Sequence, residues 1–474
     1  MSLNPPFAAM RGFRFLGWCA GAVLLALVPA GGYAQGTLTT ILTNGPTANR
    51  INLVVLSEGY QASELGKFLS DATNMVNSIL AAPPYQEYRS YFNAFAIAVA
   101  SPQSGSDHYT PTTSLVNTYF NSTYDSYGIQ YLITIPPNDR DSDYSHGRGK
   151  VDALLQALMP EYDYAVLVVN DTQYGGSGGP VLVTSVNSSS SEIVVHESGH
   201  TLGGLTDEYS SAYPGYVPVE MPNATTQTNR ALIKWTSWIS GTTPVPTPAN
   251  APYLGVVGLF QGAEYQTSGW YRPKYDCKMN HLGIAFCEVC SEQLVKTICQ
   301  TVRLIDAYVP AATNLSLAGT QAVQFGVTPL QPRTHNLSVQ WFTNGVPAFG
   351  GTNTSFTLFP RFFGNGTNTV QAQVRDPTGL VLSDPTGLLT NSVSWNLNIA
   401  ISDLRLVAAQ WLASGGFAFS ITGAAPQGFV IQASTNLSAW IPLSTNSLVS
   451  GQFRYTNYGA GALPSRFYRA SAPP

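Results

Sequence analysis

The sequence predicts a mixed α/β (α+β) domain followed by two all-β modules. Three observations predict it. Between residues 48 and 310, apolar runs of strand length alternate with segments of helical period. After "DAYVPAATN" the texture changes to short alternating segments separated by Asn, Gly, Pro and Thr. Across the 474 residues, 44% are apolar and only 10% charged, with abundant turn formers, which suits β-rich globular domains rather than disorder or coiled coil.

The elements follow in order. Arg11 and Arg14 precede the apolar run "FLGWCAGAVLLALV", and Gly32 and Ala34 supply the small residues before a cut. This is the layout of a signal peptide over residues 1–34, cleaved on export. The run is too short to span a membrane comfortably, and no later segment is long and apolar enough. Cys19 sits within it behind Trp18, a poor context for lipid attachment. The expected mature protein is therefore secreted, extracellular or at the cell surface, with no membrane contact. The net charge of -4 without a basic block gives no reason to expect nucleic acid.

The main domain is expected over residues 35–310, its first part 35–180 and its second 181–310. "INLVVLSEGY", "FNAFAIAVA" and "DYAVLVVN" read as buried strands. "SELGKFLSDATNMVNSILAA" reads as a helix through Leu65, Phe68, Leu69, Met75, Val76 and Ile79. "YGGSGGP" resembles a phosphate loop only in its glycines, since no Gly-Lys-Ser/Thr follows and "VLVTSV" reads as a strand. "CSEQLVKTICQTVRLI" is predicted as a helix with the stripe Leu294, Ile298, Val302 and Ile305. Residues 311–400 read as an immunoglobulin-like β-sandwich, from the Trp in "LSVQWFTNGV" before an Asn-Gly turn, and residues 401–474 as a second small β module. Neither carries a chemical constellation, so both read as spacers or adhesive modules.

The chemistry lies in "SEIVVHESGHTLGGLTDEY", residues 191–209. Residues four apart share one helix face, so His196 and His200 can present two imidazoles to one Zn2+ ion. Glu197 beside them can take a proton from water as general base. "SSSE" before the motif reads as a capping box, with Ser189 at the cap and Glu192 three residues on. Metzincin metallopeptidases continue His-Glu-x-x-His with x-x-Gly-x-x-His or Asp. Here the fit needs a shift of one residue: Gly204 turns the chain and Asp207 returns to the metal, with Glu208 as the alternative. Glu220 or Glu264 would require another architecture.

Met279 stands where metzincins carry a methionine turn beneath the zinc, and it reads equally as a core residue. His281, two positions on, either steadies an oxyanion or is a surface residue; Tyr271 and Tyr275 are further donor candidates. The stretch between "DYAVLVVN" and the helix should hold the sheet edge that binds substrate backbone, which places Asn170, Gly175 and Gly176 in the cleft or in an ordinary hairpin loop. Cys277, Cys287, Cys290 and Cys299 are expected as two disulfides, since the single close pair fits a zinc knot badly.

The stretches "NLVVLSEGY", "FNAFAIAVASPQSGSDH", "VVNDTQYGGSGG", "HESGHTLGGLTDEY", "YRPKYDCKMN" and "FCEVC" lie in this order, and with them residues 48–305 resemble the bacterial IgA-peptidase family of metallopeptidases. The resemblance implies a metzincin-like zinc endopeptidase with His196, Glu197 and His200 in the motif's roles. It does not imply that antibody is the substrate. The expected partner is an extracellular protein or peptide, and the expected state a monomer. A peptidase fold retired to binding, or a zinc hydrolase of non-peptide amides or esters, are the alternatives.

Overall fold

In the computed structural model, residues 36–213, 215–317, 322–360, 363, 366–400, 404–423, 427–449, 452–462 and 465–471 are described. The expected signal segment 1–34 lies outside them. Among the described residues no helix is long and apolar enough to cross a membrane.

The first region is built on a six-stranded sheet. In chain order its elements are β1 (Thr37–Leu42), β2 (Ile51–Glu58), α1 (Leu65–Ala81), β3 (Phe92–Ala98), α2 (Arg148–Leu158), β4 (Tyr164–Val169), β5 (Gly176–Ser177), β6 (Val181–Ser185) and α3 (Ser190–Gly203). The strand order is β1-β3-β2-β4-β6-β5. β2 runs parallel to β3 and β4, and β4 to β6. The two edge strands are antiparallel to their neighbours. β2 and β3 are buried at every residue because helices cover both sheet faces, and a strand buried on both faces must be apolar throughout. Alternation then sorts the side chains. Leu53 and Val55 pack with Phe68 and Val76 of α1 and Val194 of α3, whereas Val54 and Leu56 pack with Val151 and Leu155 of α2. Each such buried side chain contributes roughly 1.5–3 kcal/mol.

Glu58 ends β2 and is fully buried. Its carboxyl accepts from the Thr118 hydroxyl at 2.6 Å and from the amides of Phe120 and Ser122 at 2.9 and 2.8 Å. These bonds fasten the long connection between β3 and α2 across the carboxyl ends of the strands.

A hairpin follows, β7 (Phe260–Ala263) and β8 (Gln266–Arg272), and then α4 (Glu288–Thr301). The expected apolar stripe on α4 holds for Leu294 and Ile298 but not beyond, because Val302 is already extended and caps the helix. Ile305 opens β9 (Ile305–Val309), which pairs antiparallel with β11 (Val323–Pro329) of the next region. Between them lies β10 (Asn314–Leu317), and after them β12 (Ser338–Thr343), β13 (Val346–Pro347), β14 (Ser355–Leu358), β15 (Gly366–Arg375) and β16 (Thr390–Ile399). They form a five-stranded sheet, β10-β16-β15-β12-β13, and a three-stranded one, β14-β11-β9. Trp341, Trp395 and Phe325 fill the space between, the two indoles stacked at 5.8 Å. The last segment makes two three-stranded sheets around a small separate core of Phe419, Ile421, Phe429, Ile431 and Leu448.

The eight-stranded region shares a continuous core with the first. Buried polar ties reinforce this junction. Tyr88 donates to Asp376 Oδ2 at 2.8 Å, and Tyr91 to the Leu330 carbonyl at 2.6 Å. His335 bridges Glu87 and Asp376 at 2.9 and 2.7 Å. Glu292 of α4 accepts the Leu382 amide at 3.2 Å, so the module also packs against α4. Tyr88→Phe leaves Asp376 Oδ2 buried without its donor and is expected to cost about 1.5–3 kcal/mol. Thermal unfolding checks this; an unchanged midpoint would show that the tie contributes nothing.

Candidate metal centre

α3 starts where the sequence places it, but by other means. Ser189 makes no side-chain cap. Instead Asn187 Oδ1 accepts the Ser189 amide at 2.9 Å and the Asn187 carbonyl accepts that of Ser190. Glu192 does not close a capping box. It pairs with Lys278 and accepts the Gly283 amide at 2.7 Å, because a buried ammonium is the stronger partner for a carboxylate. The helix stops at Gly204, whose φ of +58° favours glycine and whose amide reaches the carbonyls of Gly199 and His200.

That turn lets the chain fold back. The Nε2 atoms of His196 and His200 lie 3.1 and 3.4 Å from Asp207 Oδ1. Each imidazole is oriented from behind: Nδ1 of His196 donates to the Lys278 carbonyl and that of His200 to the Leu205 carbonyl, both at 2.8 Å. With Nδ1 of each ring held by a carbonyl, both Nε2 atoms face Asp207. Tyr265 donates to Asp207 Oδ2 at 2.5 Å, while Oδ1 is buried and has no hydrogen-bond donor. Ligand atoms of a tetrahedral zinc with bonds of about 2.0–2.1 Å are about 3.3 Å apart, so two imidazole nitrogens and this orphaned oxygen fit that ion. Burial alone would raise the Asp207 carboxyl, but the two histidines hold it well below the usual carboxylate range. Glu197 is half-buried beside the pair. Desolvation pushes its carboxyl above the usual range, against the pull of both imidazoles.

Glu208 faces the opposite way and does not join the histidines. It is fully buried, and its Oε1 accepts from Asn223 Nδ2 at 3.0 Å and lies 3.4 Å from Cys290 Sγ. Glu220 caps Thr226 and pairs with Lys234, and Glu264 accepts the Tyr216 hydroxyl.

Met279 is fully buried beneath α3. A Cβ on Gly199 would lie 2.5 Å from its sulfur, so the close approach requires glycine in the middle of the helix. His281 does not face the histidine pair: its side chain is 64% exposed and bonds Asp276 at 2.6 Å. The oxyanion alternative for it fails on that geometry. Tyr271 pairs through its backbone with Thr225, and the Tyr275 ring packs on Phe260 and Arg272.

Of the cleft residues, Asn170 is fully engaged elsewhere, donating to the Gly59 carbonyl and Ser104 and accepting from Lys67. Gly175 has no room for a side chain, since a Cβ would meet the Tyr131 carbonyl at 2.7 Å. Gly176 and Ser177 do form the sheet edge, β5, but Gly176 is bridged by Leu132 on its outer side. Beyond Ser177, Gly178 packs so closely on His200 that a Cβ would lie 2.5 Å from the histidine Cβ.

The expected disulfides are absent. All four cysteines are free and buried. Cys277, Cys287 and Cys290 gather with Glu208, with Cys277 and Cys290 sulfurs 3.7 Å apart, while Cys299 is not in this group. Sequence reasoning also missed three tyrosines. Tyr209 stacks on His196 at 6.1 Å, and Tyr174 lies in the field of Glu197. Tyr265 sits with Glu264 in the two-residue turn between β7 and β8, both at φ of +55°. Non-glycine residues there store strain of about 1–3 kcal/mol each. Their amides donate to the carbonyls of Asp207 and Tyr209 at 3.1 and 2.9 Å.

No curated protein matches the chain. Among solved structures, fibronectin(III)-like modules of Clostridium thermocellum CbhA align at 9% identity over 20% of this chain and 96% of theirs, with a TM-score of 0.15. Bacteroides uniformis β-glucuronidase 3 aligns at 8% identity over 44% of this chain and 29% of its own, with a TM-score of 0.14. The profile of the family described as IgA peptidase M64 matches residues 39–253 and 249–298. That span runs from β1 through the histidine pair and the cysteine cluster to α4, more than half of the 474 residues, and the chain belongs to the IgA peptidase M64 family.

Proposed function

We propose that the chain is a secreted zinc metalloendopeptidase that cleaves extracellular proteins or peptides. The observation that carries the reading is the meeting of His196 Nε2, His200 Nε2 and the donor-free Asp207 Oδ1, with Glu197 alongside. These three atoms are the zinc ligands, and Asp207 rather than Glu208 is the third. The fold of this domain is metzincin-like, with Met279 as its methionine turn, and the two-tryptophan module is immunoglobulin-like.

Zinc bound there supplies Lewis acidity towards water and a carbonyl oxygen. The protein residues supply the rest. Glu197 takes the proton of the attacking water on its carboxylate and delivers it to the departing amine nitrogen. Lys278 and Leu205 carbonyls keep both imidazoles in the tautomer that leaves Nε2 free. Tyr265 holds Asp207 Oδ2, so that only Oδ1 can turn to the metal. The Tyr209 phenol, stacked on His196, replaces His281 as donor to the oxygen that becomes negative. Substrate backbone adds along the rim past Ser177, where Gly178 lets it approach His200.

Glu197→Gln is expected to keep its zinc and cut nothing in a peptide-library digest, whereas Asp207→Ala loses the zinc on dialysis. Cleavage by a folded Glu197→Gln protein would remove Glu197 as the base. Tyr209→Phe is expected to lower kcat by roughly 10²–10³ with little change in KM; an unchanged kcat would leave the phenol without that role. Gly199→Ala, which drives a methyl into Met279, is expected to destabilise by about 1–3 kcal/mol and to weaken zinc binding. Thermal unfolding and a zinc competition titration read both effects.

A further inference from the structure

The cluster on the far side of the 207–209 segment has the form of a second centre. Its members are Cys277, Cys287, Cys290 and Glu208, all buried, with one ligand atom from each within 4.8 Å of the others. Cys277 and Cys290 sulfurs are 3.7 Å apart, and Cys290 Sγ is 3.4 Å from Glu208 Oε1. In a tetrahedral zinc site with Zn–S of about 2.3 Å and Zn–O of about 2.1 Å, these edges are about 3.8 and 3.6 Å. A disulfide requires sulfurs at about 2.05 Å.

Two further observations point to a cation. Glu208 Oε2 is buried and has no hydrogen-bond donor, although Oε1 is bonded. A disulfide between any two of the three cysteines would leave that carboxyl facing one odd thiol, offset only by the nearby Arg272 guanidinium. The Cys287 amide also donates to Cys277 Sγ at 3.2 Å, so that sulfur accepts within the cluster. The guanidinium of Arg272, itself buried, lies within the field of both Glu208 and Cys277 and balances a site with an excess of negative ligands.

We propose that Cys277, Cys287, Cys290 and Glu208 hold a second zinc ion in a closed, structural site. Three thiolates and a carboxylate leave no open position, so this zinc activates no water. It joins three pieces of chain that share no regular hydrogen-bonded element: the segment carrying Asp207, the loop carrying Met279, and the start of α4. It thereby fixes where Asp207 stands relative to the histidines. The sequence spacing conceals the site because its fourth ligand comes from about 70 residues upstream of the first cysteine.

The test is metal content of the full chain refolded or expressed with Zn(II), by elemental mass spectrometry, together with zinc-edge X-ray absorption. Two zinc ions are expected per chain, and one in the His196→Ala/His200→Ala variant. The zinc remaining in that variant should show a sulfur-dominated shell at about 2.3 Å. A mercurial thiol reagent should release it, whereas zinc on the histidine site is not displaced by thiol modification. If the double variant does not fold, the absorption spectrum of the unaltered protein decides, since the histidine site alone contributes no sulfur. A single zinc without sulfur neighbours, or a disulfide within Cys277, Cys287 and Cys290 in the native protein, would overturn the second site. A single zinc with a sulfur shell would instead support it while counting against the histidine site as a zinc centre.

Discussion

The hydrogen bond from His196 Nδ1 to the Lys278 carbonyl is the contact on which the candidate centre depends. It joins a helix to a loop more than 80 residues later, and it fixes both at once. One residue on, the Met279 carbonyl accepts the Glu208 amide at 2.8 Å. Helix, loop and returning segment are thus stitched through two consecutive carbonyls. Glu192 on α3 adds a third stitch by holding Lys278 and the Gly283 amide. With the loop pinned to the helix, the Met279 carbonyl in turn holds the backbone next to Asp207.

The sheet makes this economy possible. Its central strands are parallel and buried on both faces, so their directions are set by packing rather than by solvent. β6 delivers the chain almost directly into α3, with only Val186 to Ser189 between them. The helix is then laid across α1, and its face bearing Ile193, Val194 and Leu202 is buried. The polar half of the same helix turns its histidines to the cleft. Glycines sit where backbone must approach closely: Gly199 over Met279, and Gly178 against His200. Both gaps would be filled by a single methyl group.

What was legible in the sequence was local. The i, i+4 spacing of His196 and His200, the stop at Gly204 and the buried strands all depend on neighbours a few residues away, and each stands where expected. Glu192 was misplaced because its nearest local partner lost to an ammonium that arrives from residue 278. The disulfide expectation failed for a similar reason: counting cysteines says nothing of Glu208, which joins them through space. Val302 and Ile305 keep helical spacing yet leave the helix: Val302 is its extended cap, and Ile305 opens β9, which pairs with β11. Tyr265 carried no periodic signal at all; only its hydroxyl on Asp207 reveals it.

The pair Asp207–Glu208 shows how far burial alone can be read. Both carboxyls lie inside the protein, side by side in sequence, and no lysine or arginine forms an ion pair with either among the described residues. Arg272 is near Glu208, but its donors are taken by the carbonyls of Gln261, Lys274 and Tyr275. Each carboxyl keeps one oxygen bonded, by Tyr265 or Asn223, and the other without a donor. Burying a carboxyl oxygen without a donor carries a desolvation cost. Both neighbouring residues keep such an oxygen, one beside nitrogen ligands and the other beside sulfur ligands. A divalent cation on each side of the segment would satisfy both, and successive side chains on one stretch of backbone point to opposite sides, as these two do.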